Sequence, residues 1–589
     1  MHYPDFAQPL MSRLRPLLRS LLFTATATTT LMLAACGGGN GTPASDSPAA
    51  GFAIGSGNAA HAEPSVPRPL GKPCTVSLFA DVTFNNFDSR PFDYRATCPG
   101  PWQKVVLEAD FSVNAGRQFD RTGHISIAGV NIYTGTTQEP SATVGPNWHV
   151  ERDLTDYAPL FVRAAGGFVD LDNLVNETYT GRLMGSARLV FYPLQSMAQP
   201  RVADMVLGLG SNADGRPSIL RDSQTTISKT LTLPRNVVRA YLDVLAQGQS
   251  DDEFWWSCAP DDLTEPLQTC GATAFREAQV SIDGQLAGVA PVFPWIFTGG
   301  VNPRLWRPTP GVQTLNMKPH RVDLSPFAAL LSDGLPHKVE VAVQNARNYF
   351  NVTASLLLFR DPLLPQVSGA LVSNTLVAAR APLIDNRLGF SATGDVFGTI
   401  ATTSRRQFAI IGSLQSSLGR EELSVRQSMD FVNTQTFSPT LNDFVQTATV
   451  KTVSASATES GITAVERNFS FPFSFSIITD GSSMSSEHAA IETQRYTHRG
   501  ATAFVSESIN RVSATSQRSG TPAVNQSSAT QYFSYTDDNG ACYERRLSSK
   551  DGLLSAAIDG KRCAGKANDG KPFGRIASDV LDYWLVLGN

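Results

Sequence analysis

Alternation of apolar and polar positions with a period of two dominates the chain. Stretches at 408–414, 445–455, 469–478 and 503–512 alternate apolar residues with Ser, Thr or Gln. That is the pattern of antiparallel strands wetted on one face. Upstream, 105–108, 124–127 and 187–192 read as strands, as do 237–245, 278–282, 339–343 and 354–359. Asp283-Gly284, directly after one of these runs, signals a tight hairpin. Helical signals are few. At 325–331, Ser325 offers an N-cap and Pro326 suits the first helical position. The pattern predicts an all-β protein built from sandwiches, with blocks at 70–232, 233–362 and 363–589.

Composition narrows the picture. A single core seldom grows past ~250–300 residues, so a chain of 589 residues implies several units. A charged fraction of 17% and 36 prolines exclude a coiled coil or a helical bundle. A net charge of −4 gives no basic face for phosphates, so nucleic acid is not an expected partner.

The first residues carry an address. Arg13, Arg15 and Arg19 precede a Thr-interrupted apolar run at 21–33, too short to span a membrane comfortably. The run ends in Leu33-Ala34-Ala35-Cys36, which resembles the bacterial lipobox, and Met11 is the expected start. Residues 1–36 are therefore expected to be a lipoprotein signal, with Cys36 lipidated. The Ala-, Ser-, Pro- and Gly-rich stretch 37–69 is expected to be a flexible tether. The expected location is a bacterial cell-envelope membrane, the outer one, with the folded part periplasmic or extracellular.

Setting Cys36 aside leaves Cys74, Cys98, Cys258, Cys270, Cys542 and Cys563 of the seven cysteines. They fall into three neighbouring pairs, and export implies an oxidising compartment. Proximity selects the disulfides Cys74–Cys98, Cys258–Cys270 and Cys542–Cys563. No CxxC, HxH or HExxH spacing occurs, so no zinc site is expected.

Neither a GxSxG elbow nor a Walker loop is present. Three segments hold candidate chemistry. In Gly116-Arg117-Gln118-Phe119-Asp120-Arg121, the flanking cations favour an ionised Asp120 able to orient water; a turn Asp paired with surface Arg has the same pattern. In Asp251-Asp252-Glu253-Phe254-Trp255-Trp256, adjacent carboxylates and aromatics would raise one carboxyl towards a general acid, and the tryptophans could stack on sugars. A solvated acidic turn over core aromatics, or a calcium site with Asp261 and Asp262, are alternatives there. The third segment, 293–308, is an aromatic, Arg-bearing loop suited to a binding rim or to packing.

Several motifs in one order resemble the peptide:N-glycanase family, in its longer plant-type, acidic branch. They are 116–121, the weaker 136–140, Trp148-His149-Val150-Glu151-Arg152-Asp153, and Val175-Asn176-Glu177-Thr178-Tyr179. Asp252-Glu253-Phe254-Trp255, Phe297-Thr298-Gly299-Gly300 through Trp306-Arg307-Pro308, and 320–337 follow. The resemblance implies two adjacent eight-stranded jelly rolls, here followed by a further antiparallel β-domain. It implies an amidase that releases an intact N-glycan from asparagine of a glycoprotein or glycopeptide and leaves aspartate. It implies no cofactor and no metal. Asp120 resembles the principal catalytic carboxylate, Glu253 a second facing it, and Glu177 a third. Arg121, Phe119, Trp255 and Trp306 resemble substrate-binding residues. A monomer is expected. The alternative is a non-catalytic, glycan-binding surface lipoprotein, because jelly rolls host lectins as readily as enzymes.

Overall fold

A computed structural model of the chain describes residues 53–563, apart from 196–200, 211–213, 379–380, 439–442, 459–460, 478–482 and 502. The expected signal and Cys36 lie outside the described residues. The architecture is all-β, as the alternation predicts.

Eight strands from Cys74–Phe84 to Leu183–Pro193 form two four-stranded sheets. Numbered in chain order, the sheets run 1-8-3-6 and 2-7-4-5, which is a jelly roll. A second set, from Ser218–Leu220 to Phe350–Arg360, repeats both orders and makes a second jelly roll. A further short strand, Met205–Gly208, pairs with the same edge of Phe350–Arg360 as Ser218–Leu220.

The boundary expected at 232 moves upstream. The strands Met205–Gly208, Ser218–Leu220 and Ile227–Thr232 all pair within the second jelly roll. They are short and lie among turns, and their partners are more than 100 residues away, so local pattern could not allot them.

The described residues after 363 form one antiparallel sheet of eleven strands from Ser368–Asn374 to Leu553–Asp559. Its strands reach 21 residues in Val396–Ser416, where inside–outside alternation is clearest from Phe408 to Ser416. The inward face carries Phe408, Met429, Phe431, Phe469, Phe471, Phe473 and Val512, and these join the core of both jelly rolls in one continuous cluster. Buried ion pairs fix the register of this docking: Arg239–Glu421 at 3.1 Å and Arg406–Glu277 at 2.8 Å. The expected further β-domain is thus a sheet completed by the jelly rolls.

The tether expected through 69 ends earlier. Ala60 and Ala62 are buried. Gly55 and Ser56 exchange backbone hydrogen bonds with Leu554. Ala62 N–H donates to Gln531 Oε1 at 2.7 Å, and Arg68 pairs with Glu108 and Glu151 at 2.7 Å. The small residues that suggested flexibility fit the seam between the first jelly roll and the last strands.

The cysteines pair as proximity selects, with Cα separations of 5.8, 4.5 and 5.5 Å. The Asp283-Gly284 turn joins Glu277–Ile282 to Gln285–Pro291, both turn residues having positive φ. The short helix forms as a 3-10 turn, Ser325–Phe327, running into Ala328–Leu331. Ser325 is not its cap: Ser325 N–H donates to Asp323 Oδ1 at 2.8 Å, within the turn that precedes the helix.

A core shared by two jelly rolls and the long sheet should melt as one body. Differential scanning calorimetry of the protein should give a single cooperative transition. Two resolved transitions would refute the shared core.

Candidate active site

The site is built at one end of a hairpin. Thr122–Ile127 and Val130–Thr136 pair with Thr122 opposite Thr136. The two-residue turn is Ala128-Gly129, both with positive φ. This register places the residues before Thr122 beside those after Thr136. Asp120 and Glu139 therefore meet, and Asp120 N–H donates to Glu139 Oε1 at 3.2 Å. Arg121 N–H donates to Thr137 Oγ1 at 2.9 Å, closing the hairpin end.

Glu253 arrives from the second jelly roll, just beyond the long buried strand Val237–Gly248 and the 3-10 turn Ser250–Asp252. Gln247 and Gln249 both donate to Thr122 Oγ1 at 3.0 Å, locking the two jelly rolls together beside the site. A third wall comes from the loop after Gln285–Pro291. Thr298 Oγ1 donates to the Thr137 carbonyl, and Gly299 N–H donates to Asp120. A Cβ on Gly299 would collide with the carboxylates of both Glu139 and Asp120, so only glycine lets the loop close over them. Arg307, from the same loop, pairs with Glu139 Oε2 at 2.9 Å.

The electrostatics follow from this crowding. Burial raises Asp120 to about 6, opposed by Arg121 and by hydrogen bonds including the one from Gly299. Burial and the charge of Asp120 raise Glu139 to about 7, opposed by Arg307. Glu253 is held well above the ordinary carboxylate range by burial, then by Asp120 and Glu139. Its carboxylate receives no hydrogen bond from the described residues. The three share protons as a set, with Asp120 the first to ionise.

The adjacent carboxylates do not act as the acidic run suggested. Asp252 is fully buried and paired with the equally buried Arg276 at 2.7 Å. Its other oxygen accepts Arg347 N–H and Asn348 N–H at 2.7 and 2.8 Å. Asp252 is an anchor, and Glu253 owes its raised proton affinity first to burial and then to carboxylates more than 100 positions away.

Arg121 faces Asp120, Tyr179, Asp172 and Glu139, with Nη2 held by Gln118 Oε1 at 2.8 Å. Phe119 is 47% exposed and packs on Tyr179 with ring centres 5.4 Å apart. Phe119 is exposed and Arg121 half-buried beside the carboxyl cluster.

Three expected site residues fall elsewhere. Glu177 is exposed, in a turn where Asn176 Oδ1 accepts Thr178 N–H and Tyr179 N–H at 2.8 Å. Among the described residues nothing couples its carboxylate to Asp120 or Glu253, and Glu139 is the third member of the cluster. Trp255 is 2% exposed and packs on Phe431 of the long sheet. Trp306 is fully buried, donates from Nε1 to the Gly300 carbonyl at 2.8 Å, and lies edge-on to His488. Neither tryptophan presents a face to a sugar, because the long sheet covers both.

Comparison with known proteins places this arrangement. The model of the family "Peptide N-acetyl-beta-D-glucosaminyl asparaginase amidase A" matches residues 64–363, which hold the whole cluster. The chain belongs to this family. A peptide-N4-(N-acetyl-beta-glucosaminyl)asparagine amidase A from Prunus dulcis is 30% identical over 387 residues, covering 62% of this chain and 66% of the relative. The match thus spans a little less than two thirds of that relative. Among solved structures, PNGase F, a glycosylasparaginase from Flavobacterium meningosepticum, is 14% identical with a TM-score of 0.35, over 49% of this chain and 96% of its own. PNGF-II is 14% identical with a TM-score of 0.32, over 49% and 66%.

In this member of the amidase A family, the carboxyl cluster binds protons more tightly folded than unfolded. Its contribution to stability is therefore full near pH 4 and is lost as pH rises through about 6 and 7. Glu253→Gln removes one member that has no hydrogen bond to lose. It should raise the melting temperature more at pH 8 than at pH 5. An equal shift at both pH values would refute the cluster's electrostatics.

Proposed function

We propose that the chain is an amidase that cleaves the bond between the innermost N-acetylglucosamine and asparagine of an N-glycoprotein or glycopeptide. The observation that carries this reading is the meeting of Asp120 and Glu139 with Glu253 across two jelly rolls, in a chain of the amidase A family. A surface that only bound glycans would have no use for three carboxyls forced together at the expense of stability.

Amide hydrolysis needs an oriented water, a stabilised tetrahedral intermediate and a proton for the departing nitrogen. Asp120, the first to ionise, accepts a proton from the water as its oxygen bonds to the side-chain carbonyl carbon. Arg121 offers positive charge beside the developing oxyanion. Glu253, still protonated, donates to the nitrogen as the carbon–nitrogen bond breaks. The products are aspartate and a glycosylamine, which hydrolyses in water to ammonia and the reducing glycan. Glu139 ties Asp120 to Arg307 and keeps a proton within the cluster. Phe119 is suited to pack on the sugar or peptide at the cleft mouth.

We also propose export, lipid anchoring through Cys36 and action as a monomer. The Arg-flanked apolar run, the lipobox-like tetrapeptide and the three disulfides support the first two. A carboxyl cluster completed within one chain supports the last.

A glycopeptide incubated with the protein in heavy-oxygen water should yield free glycan and a peptide whose new aspartate carries one heavy oxygen. Asp120→Asn and Glu253→Gln should each lower turnover about 10²–10⁴-fold. The rate should rise through about pH 6 as Asp120 ionises and fall at higher pH as Glu253 loses its proton. Near wild-type turnover in either variant would overturn the assignment. Separately, Cys36→Ser should abolish labelling by a radioactive fatty acid and release the protein from the membrane fraction; retained labelling would refute the anchor.

A further inference from the structure

The three side-chain amides of Asn433, Gln435 and Gln446 are nearly fully buried on the inward face of the long sheet. Gln435 and Gln446 sit directly opposite each other on neighbouring strands. All three donate to one short segment of the second jelly roll. Asn433 Nδ2 and Gln446 Nε2 reach the Trp256 carbonyl at 2.7 and 3.0 Å, and Gln435 Nε2 reaches the Cys258 carbonyl at 2.9 Å. Trp255 and Trp256 pack on Phe431 and Phe473 of the same sheet.

This segment begins two residues after Glu253. On its other side Glu253 adjoins Asp252, anchored by Arg276 and two backbone N–H groups. Since the Glu253 carboxylate has no hydrogen bond of its own, only the placement of its neighbours decides where it sits. The amides are an expensive way to fill a sheet face, because each leaves its oxygen without a partner among the described residues. Apolar side chains would pack there without that penalty. What the amides supply and apolar residues cannot is a set of directed donors to the carbonyls of the Glu253 loop.

We propose that Asn433, Gln435 and Gln446 are positioning residues, through which the C-terminal sheet sets the location of Glu253 relative to Asp120 and Glu139. The inference deepens the amidase reading and rests on it for its kinetic consequence. The titratable groups facing Glu253 are Asp120 and Glu139, with Arg121 and Arg307 next to them. If the loop slides, Glu253 moves away from its repelling neighbours and holds its proton less tightly.

The test compares Gln446→Ala and Gln435→Ala with Gln427→Ala. Gln427 is also buried and donates to a jelly-roll carbonyl, that of Val289, at 3.3 Å. It therefore reports loss of a buried amide without contact to the Glu253 loop. The 446 and 435 variants should lose turnover at least tenfold with little change in KM, and the alkaline limb of their pH–rate profile should move to lower pH. Gln427→Ala should keep the wild-type profile. Unchanged profiles in the 446 and 435 variants, or the same shift in Gln427→Ala, would overturn the proposal. A readout independent of activity is the stabilisation by Glu253→Gln at pH 8, which should shrink in the Gln435→Ala background. Full stabilisation there would also overturn it. An inactive wild-type protein whose stabilisation still shrinks would sink the amidase reading and leave the positioning role standing.

Discussion

Three carboxyl groups held close together repel one another whenever more than one is ionised. Asp120, Glu139 and Glu253 come from different loops, and the repulsion between their carboxylates would drive them apart. The surroundings must supply the restraint. Asp120 and Glu139 are held by the register of one hairpin, by the Asp120 N–H bond to Glu139 and by the Gly299 loop. Glu253 is held from behind, by the buried pair Asp252–Arg276 and by the docking of its aromatic neighbours. The repulsion is what makes the groups useful, because it spreads their proton affinities and leaves a base and an acid side by side.

That requirement gives the long C-terminal sheet its place in the molecule. A sheet of eleven strands has no second layer of its own among the described residues, and its inward aromatics complete the core of the jelly rolls. It also covers the two loops that wall the site: 254–258 through Asn433, Gln435 and Gln446, and 293–313 through contacts such as Asn302 to Ser486 and Gln313 to Glu492. The chain entering at 53–68 then straps the first jelly roll to the far strands of the same sheet. Loops rich in Pro and Gly thus gain fixed positions that their local sequences could not hold.

Much of this was legible residue by residue. Alternation identified strands because a half-buried sheet imposes period two wherever it occurs, and proximity paired the cysteines because loops of 12 to 24 positions close easily. Asp120 and Glu253 stood out through their flanking motifs. Glu139 did not, although the hairpin that delivers it is local. Its Ala128-Gly129 turn lacks the Asn-Gly or Asp-Gly signature, and only the register across that turn places 139 beside 120. Recognising the turn from its strands would have found it. Trp255 and Trp306 misled for the opposite reason, since an aromatic loop reads the same whether it faces a sugar or a neighbouring sheet.

The sequence by itself determined the class of the fold, the strands, the disulfides, the family motifs and two of the three clustered carboxyls. These are properties of short segments, written in spacing and residue type. The tertiary structure decided which acid completes the cluster, which acid is spent on Arg276, and which face of each aromatic loop is covered. It also decided the proton affinities, because these depend on desolvation and on charges brought together from positions 120, 139 and 253. Such quantities are sums over distances in space, and no local pattern along a chain contains them.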